Sequence, residues 1–270
     1  MYRIGTSGWR YAGWRGDFYP PGLPQRAELA YAAEHLSSLE INGSFYSLQR
    51  PSSYQRWHDE TPDDFCFAVK GGRFITHMRR LRDVESALGN FFASGVLALG
   101  PKLGPFLWQL PARMSYDAEL IDGFLSMLPR TTAEVAALGA RHDDKLASAR
   151  IDLEVRAEQP CTHALEVRHE SFADPGFARL LERHGVACVL ADNAGVWPSL
   201  DLDTAAFSYL RLHGDSELYT SGYGPAALDA WAERCRQRAR GGRDVHVYFD
   251  NDARGHAPHD ALGLCRRLSS

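Results

Sequence analysis

Ser208-Tyr209-Leu210-Arg211-Leu212-His213 alternates leucines with a tyrosine, an arginine and a histidine, and the phase of that alternation decides the fold. Successive side chains of a strand point to opposite faces, so Leu210 and Leu212 share one face while Tyr209, Arg211 and His213 share the other. The same phase recurs along the chain. Leu39 and Ile41 oppose Glu40 and Asn42; Leu165 and Val167 oppose Glu166 and Arg168; Val245, Val247 and Phe249 oppose His246, Tyr248 and Asp250. In a barrel every second strand residue faces the interior and the others face the surrounding helices, which places the polar set inside. Lys70, Gln109 and Asp192 are expected to point inward as well, at the ends of strands that are apolar on both faces.

Outward from this segment, short β-rich runs recur at residues 3–7, 39–42, 65–70, 106–110, 164–168, 187–192, 208–213 and 245–250. Each is followed by a polar loop and usually by a helical pattern, the alternation of a parallel sheet. Eight such runs match the closure number of the commonest α/β barrel. The expectation is a single (β/α)₈ TIM-type barrel domain spanning residues 1–270. Helices are expected at 25–36, 84–94, 117–128, 175–184, 225–240 and 258–268, with an extra solvent-facing helix within 131–150 between strands four and five. Residues 193–206 contain Gly195 and Pro198 and are too short and broken for a full sixth helix.

Composition narrows the class. At 270 residues and 44% hydrophobic content, the chain can bury a large core, which excludes a disordered or fibrous protein. A formal charge of −4 gives no bulk attraction to a polyanion. No basic-then-apolar leader precedes Tyr2-Arg3-Ile4-Gly5, and no apolar run approaches the roughly 20 residues of a membrane span. A cytoplasmic protein with no membrane partner is therefore expected. The five cysteines, Cys66, Cys161, Cys188, Cys235 and Cys265, are scattered and lack C-x-x-C spacing, so free core thiols are expected.

A set of strand-end strings carries a family resemblance. Gly5-Thr6-Ser7-Gly8-Trp9, Glu40-Ile41-Asn42-Gly43-Ser44-Phe45-Tyr46, Lys70 with Ile75-Thr76-His77, Leu107-Trp108-Gln109-Leu110-Pro111, Glu166-Val167-Arg168-His169, Ala191-Asp192, Arg211-Leu212-His213-Gly214 and Tyr248-Phe249-Asp250-Asn251 resemble, in order, the signature blocks of the YecE-like family, the domain of unknown function 72 family. The resemblance runs from Arg3 to about Leu264 and implies an α/β barrel without implying a reaction. Residues 131–161 are longer than the family leads one to expect between strands four and five.

Barrel enzymes place their chemistry at the C-terminal strand ends, where most of these ionisable groups fall. One reading is an enzyme, of hydrolase or lyase type, acting on a small anionic or phosphorylated polar substrate. Lys70, Arg168 and Arg211 would hold the anion, because guanidinium forks match phosphate and carboxylate. Glu166, Asp192 or Asp250 would move protons, with His213 and His77 as alternative carriers. Glu40, Asn42, Gln109 and Asn251, with the aromatic Trp9 and Tyr46, complete the expected ligand-contact set. The opposing reading is a structural plug in which Glu40 and Glu166 neutralise Arg168 and Arg211. A second functional reading is nucleic-acid binding or phosphodiester processing, with Arg79-Arg80-Leu81-Arg82 guiding a backbone. A third is glycoside hydrolysis by Glu166 with Glu40 or Asp250, opposed by neighbouring cations that hold carboxyl pKa values down. No cofactor is assigned. A divalent metal stays open, with His256 and His259 the nearest thing to a paired ligand motif.

Overall fold

The computed structural model describes residues 1–269. Eight parallel strands close into a barrel in sequence order: β1 Tyr2–Ser7, β2 Ser38–Ile41, β3 Cys66–Lys70, β4 Leu103–Gln109, β5 His163–Glu166, β6 Ala187–Asp192, β7 Phe207–Leu212 and β8 Asp244–Phe249. Closure comes from β8 pairing with β1, with Arg3 opposite His246 and Gly5 opposite Tyr248. The helices are α1 Glu28–His35, α2 Gly43–Tyr46, α3 Pro51–Asp59, α4 Glu85–Ala93, α5 Ala118–Ser126, α6 Thr132–Gly139, α7 Pro175–His184, α8 Pro225–Arg238 and α9 His256–Leu268.

Alternation along the strands creates two separate apolar layers. The larger contains Leu39, Ile41, Leu165, Leu210, Leu212, Val245, Val247 and Phe249, packed against the helices. The smaller, inside the barrel, contains Ala68, Leu107, Ala164, Val189, Tyr209 and Tyr248. The polar ring lies above this inner layer at the strand ends. Gly5 is required where β1 meets β2, because a Cβ there would lie 1.7 Å from the Ser38 carbonyl oxygen.

Local chemistry sets the helix ends. In α7, the Asp174 side chain accepts from Gly176 N, Pro175 opens the first turn, and Gly185 closes the helix at φ 61°. The helix between strands four and five is present but shorter than residues 131–150. Thr131 caps it by accepting from Glu134 N. It ends at Gly139, where a side chain would strike Leu153 and the α4 backbone at Ala93. Its Val135 and Thr132 are buried, so it packs on the molecule and does not face solvent throughout. No helix forms between β6 and β7. Two helices absent from the sequence expectation, α2 and α3, fill the β2–β3 connection; α3 opens on Pro51 and buries Tyr54 and Trp57. All five cysteines are free thiols. No helix among the described residues is long and apolar enough to cross a membrane.

Candidate functional site

Two devices hold the end of β3. The Ser44 hydroxyl donates to the Lys70 carbonyl at 2.6 Å. Gly71, whose amide donates to Leu107 O, leaves no room for a Cβ against the Trp108 ring. The chain then enters a π-helical turn, Phe74–Met78, an irregularity common at functional positions. Lys70 is thereby pointed inward, and Arg73 and His77 are brought to the barrel mouth.

Beneath the mouth, Arg211 on β7 is fully buried and organises the ring. Its Nε donates to Glu40 Oε2 at 3.1 Å, its Nη1 to Glu166 Oε2 at 2.7 Å, and its Nη2 faces Glu40 Oε1 at 2.9 Å, Ser7 Oγ at 2.8 Å and Asp250 Oδ2 at 3.0 Å. Tyr209 adds a hydroxyl to Glu40 Oε2 at 2.7 Å. The second oxygen of Glu166 takes Arg168 Nε at 2.7 Å. His213 Nδ1 lies 3.0 Å from Asp250 Oδ2, and its Nε2 is buried without a hydrogen-bond partner. Burial would raise Glu166, but Arg168, Arg211, His213 and Lys70 hold its carboxyl well below the usual range. Burial would likewise raise Asp250, but Arg211, the His213 hydrogen bond and charge, and Lys70 hold it down to about 2.

Above the ring lies a cavity of about 450 Å³ lined by Asn42, Phe45, Tyr46, Lys70, Arg73, His77, Gln109, Arg168, Tyr219 and Asp250. Arg168 is fixed from three sides: by Glu166, by the Tyr219 hydroxyl at 3.3 Å, and by Trp197, whose ring lies 4.1 Å from the guanidinium carbon. Tyr219 holds this position at φ 61°, a strained conformation for a tyrosine. Lys70 is 6% exposed, and no carboxylate among the described residues lies within ion-pair distance of it. Its Nζ lies 4.6 Å from the Phe45 ring centroid. Burial, and then the charge of Arg211, lower its ammonium to about 8. Burial, and then Lys70, Arg168 and Arg73, lower His77 to about 4. The neutral ring stands 3.5 Å from the Gln109 amide.

The structure brings Asn42, Tyr46, Lys70, His77, Gln109, Arg168 and Asp250 onto one cavity wall, with Glu40, Glu166, Arg211 and His213 packed beneath it. Seven expected positions do not line the cavity: Glu40, Glu166 and His213 lie beneath it with Arg211, and Asp192, Asn251 and Trp9 are placed elsewhere. Asp192 is not inward: it pairs with the outward Leu212, whereas Ala191 pairs with the inward Arg211. Burial raises its carboxyl against hydrogen bonds from Tyr223 and Trp231 on the helix side. Asn251 is buried, with Nδ2 donating to Ser221 O at 3.0 Å and Asp260 Oδ2 at 2.8 Å, tying the last loop to α9 away from the cavity. Trp9 packs edge-on against Trp57 and lines a neighbouring pocket that shares only Asn42 with this one. Arg211 does not line the cavity, because protein groups occupy all three of its nitrogens. Arg73 and Tyr219 are cavity residues outside the expected set, carried by loops with no two-residue period. Asp252 is another addition near the ring; burial, and then Asp250, raise its carboxyl well above the usual range.

Among the described residues, no group of three or more His, Cys, Asp or Glu side chains is placed to hold a metal ion. His259 instead meets Asp17 at 2.8 Å. Several arginines of the run 79–82 and of the arginine-rich stretch 234–243 stand in ion pairs. Arg79 pairs with Asp83 and Arg82 with Asp117, while Arg234 and Arg238 converge on Asp201 and Arg243 on Asp203.

A family model described as "Protein of unknown function DUF72" matches residues 3–270. Over 130 residues the chain is 30% identical to the UPF0759 protein YecE of Escherichia coli K12, covering 48% of this chain and 45% of that protein. Over 116 residues it is 29% identical to the UPF0759 protein YunF of Bacillus subtilis 168, covering 41% and 40%. These matches thus span less than half the length of either curated relative. A crystal structure of a DUF72 family protein from Thermotoga maritima matches with a TM-score of 0.78 at 22% identity, covering 100% of both chains. One from Enterococcus faecalis gives 0.75 at 17% identity, covering 100% of this chain and 96% of that one. At these identities the likeness is one of fold.

Proposed function

The chain belongs to the DUF72 family, and from that premise we propose that the cavity at its strand ends binds a small anionic or phosphorylated polar substrate on which the protein acts as an enzyme. The observation that carries this reading is Lys70, a cation almost wholly removed from water with no carboxylate among the described residues within ion-pair distance. A buried charge is tolerated when paired and hydrogen-bonded, and an anionic group entering the cavity supplies the missing partner. Arg73 adds a guanidinium fork to the same wall, and Arg168, already bonded to Glu166 and the Tyr219 hydroxyl, adds its positive charge there. The carboxylates below are already committed to Arg168 and Arg211, so Lys70 and Arg73 are the cations left to meet a ligand. The ion pairs along the basic runs favour a small ligand over a nucleic-acid backbone.

Thermal unfolding in rising inorganic phosphate tests the reading. The wild-type midpoint should climb with the logarithm of phosphate concentration, because a ligand that binds only the folded state stabilises it. Lys70→Met should lose that climb, and Arg79→Met, on the surface, should keep it. Equal climbs in wild type and Lys70→Met would remove the cavity from the proposal. A single-stranded oligonucleotide bound with a steep salt dependence would move the assignment to nucleic acid.

A further inference from the structure

The chain contains only three lysines among its 30 lysine and arginine residues. Lys102 donates from Nζ to the carbonyl oxygens of His58 at 2.6 Å and Thr61 at 2.7 Å, a structural tie. Lys145 is exposed on the surface. Lys70, by contrast, lines the cavity, is nearly buried and donates to no group among the described residues. The other cations around the cavity and ring, Arg73, Arg168 and Arg211, are guanidinium groups, which match oxyanions well and cannot release a proton. An amine in the same place has a capacity they lack. Desolvated and beside another cation, it offers a nitrogen lone pair near neutral pH.

Resting on the reading of the cavity as an anion site, we propose that Lys70 is a catalytic residue that forms a Schiff base with the aldehyde or ketone group of a small anionic carbonyl compound, whose anionic end is held by Arg73 and Arg168. The free amine of Lys70 attacks the carbonyl carbon, forming the C–N bond while the carbonyl π electrons move to oxygen. That oxygen receives the proton carried by the attacking nitrogen. It then takes up the proton that the ammonium shed before attack and leaves as water while C=N forms. Overall, ammonium and carbonyl give iminium and one water, with no oxidant or reductant. The iminium nitrogen keeps its positive charge, so the balance of Lys70, Arg168 and Arg211 against Glu40, Glu166 and Asp250 is preserved.

The charged groups acting on this nitrogen are Arg211 from β7, Glu40 from β2, Asp250 just after β8 and Glu166 from β5; Arg73 and His77 from the turn after β3, Arg168 just beyond β5, and the phenols of Tyr46 and Tyr219 line the same cavity. With the ammonium lowered to about 8, roughly half the amine is free near that pH.

The small number of lysines makes the test clean. The full chain is incubated with dihydroxyacetone phosphate or glyoxylate and sodium cyanoborohydride, which reduces an iminium to a stable secondary amine, and the adduct is mapped by peptide mass spectrometry. One equivalent should form on Lys70, at least tenfold faster than on Lys145 or the terminal amine, with half-maximal rate near pH 8. Glycerol 3-phosphate, which has the anion without the carbonyl, should protect. Lys70→Arg should lose the adduct while its unfolding midpoint still rises with phosphate. If Lys70 is labelled by neither compound, or no faster than Lys145, the Schiff base is overturned; a persisting phosphate shift would leave the anion site standing. If neither labelling nor a phosphate shift occurs, both fall.

Discussion

With its three nitrogens shared among Glu40, Glu166, Asp250 and Ser7, Arg211 compensates carboxylates that have little or no access to water. Removing one member of such a cluster leaves the others charged and unpaired, at a cost of about 3–5 kcal/mol. Arg211→Met should therefore unfold at much lower urea than wild type at pH 7. The gap should narrow as pH falls, because protonated carboxyl groups need no counter-charge. Equal urea midpoints would show that the cluster relaxes without it. Glu40, Glu166 and Arg211 are legible because each alternates with aliphatic neighbours, and Asp250 because it continues the phase set by Val245, Val247 and Phe249. Asp192 was not, because Ala187-Cys188-Val189-Leu190-Ala191 is apolar in both phases; only pairing with β7 shows which face points inward. Alternation also said nothing of access. It placed Arg211 inside correctly, but the inside includes a ring whose hydrogen bonds are spent on one another.

Among the described glycines, Gly5 of β1 stands where an added Cβ would meet a neighbour most closely. Alanine at Gly5 would drive a Cβ into the Ser38 carbonyl, so strand separation must grow where the barrel is paired on both sides. Gly5→Ala should cost about 3 kcal/mol or more, at the upper end for overpacking. Urea unfolding measures it, and a loss below about 1 kcal/mol would mean that the contact is relieved by a small shift of β2. Strand existence was readable from short apolar runs, and the missing sixth helix from Gly195 and Pro198. The length of α6 was not: the alanine-rich stretch continues the helical composition, but Gly139 packs against α4 and the chain turns there so that Asp143 can reach Asn90. The pair Tyr54 and Trp57, three residues apart behind Pro51, was the available signal for α3.

At the scale of the whole molecule, buried neutral histidines make the fold acid-sensitive. His163 has a tautomer fixed by its neighbours, with Nε2 donating to Pro129 O at 2.7 Å and Nδ1 accepting from Trp108 Nε1 at 3.2 Å. Burial lowers both His163 and His246 from 6.5 to about 4. The unfolded chain therefore binds more protons between these values, and stability present above pH 6.5 drains away as pH falls toward 4, by roughly 3 kcal/mol for each ring. Urea midpoints should fall between pH 7.5 and 4.5, less what the raised carboxyls of Asp192 and Asp252 give back; imidazole resonances of His163 and His246 titrating near 6.5 in the folded protein would contradict their neutral burial. Below pH 4, protonation of Asp250 extends the loss toward about 2.

One consequence follows from the helix that β6 lacks. The loop in its place lays Trp197 across the face of Arg168, whose guanidinium also meets Glu166 and the Tyr219 hydroxyl at the cavity wall. An anion that draws Arg168 toward the opening must alter the electronic surroundings of that indole. On the reading proposed above, the barrel thus carries an optical reporter at its own mouth, one indole among the six of the chain.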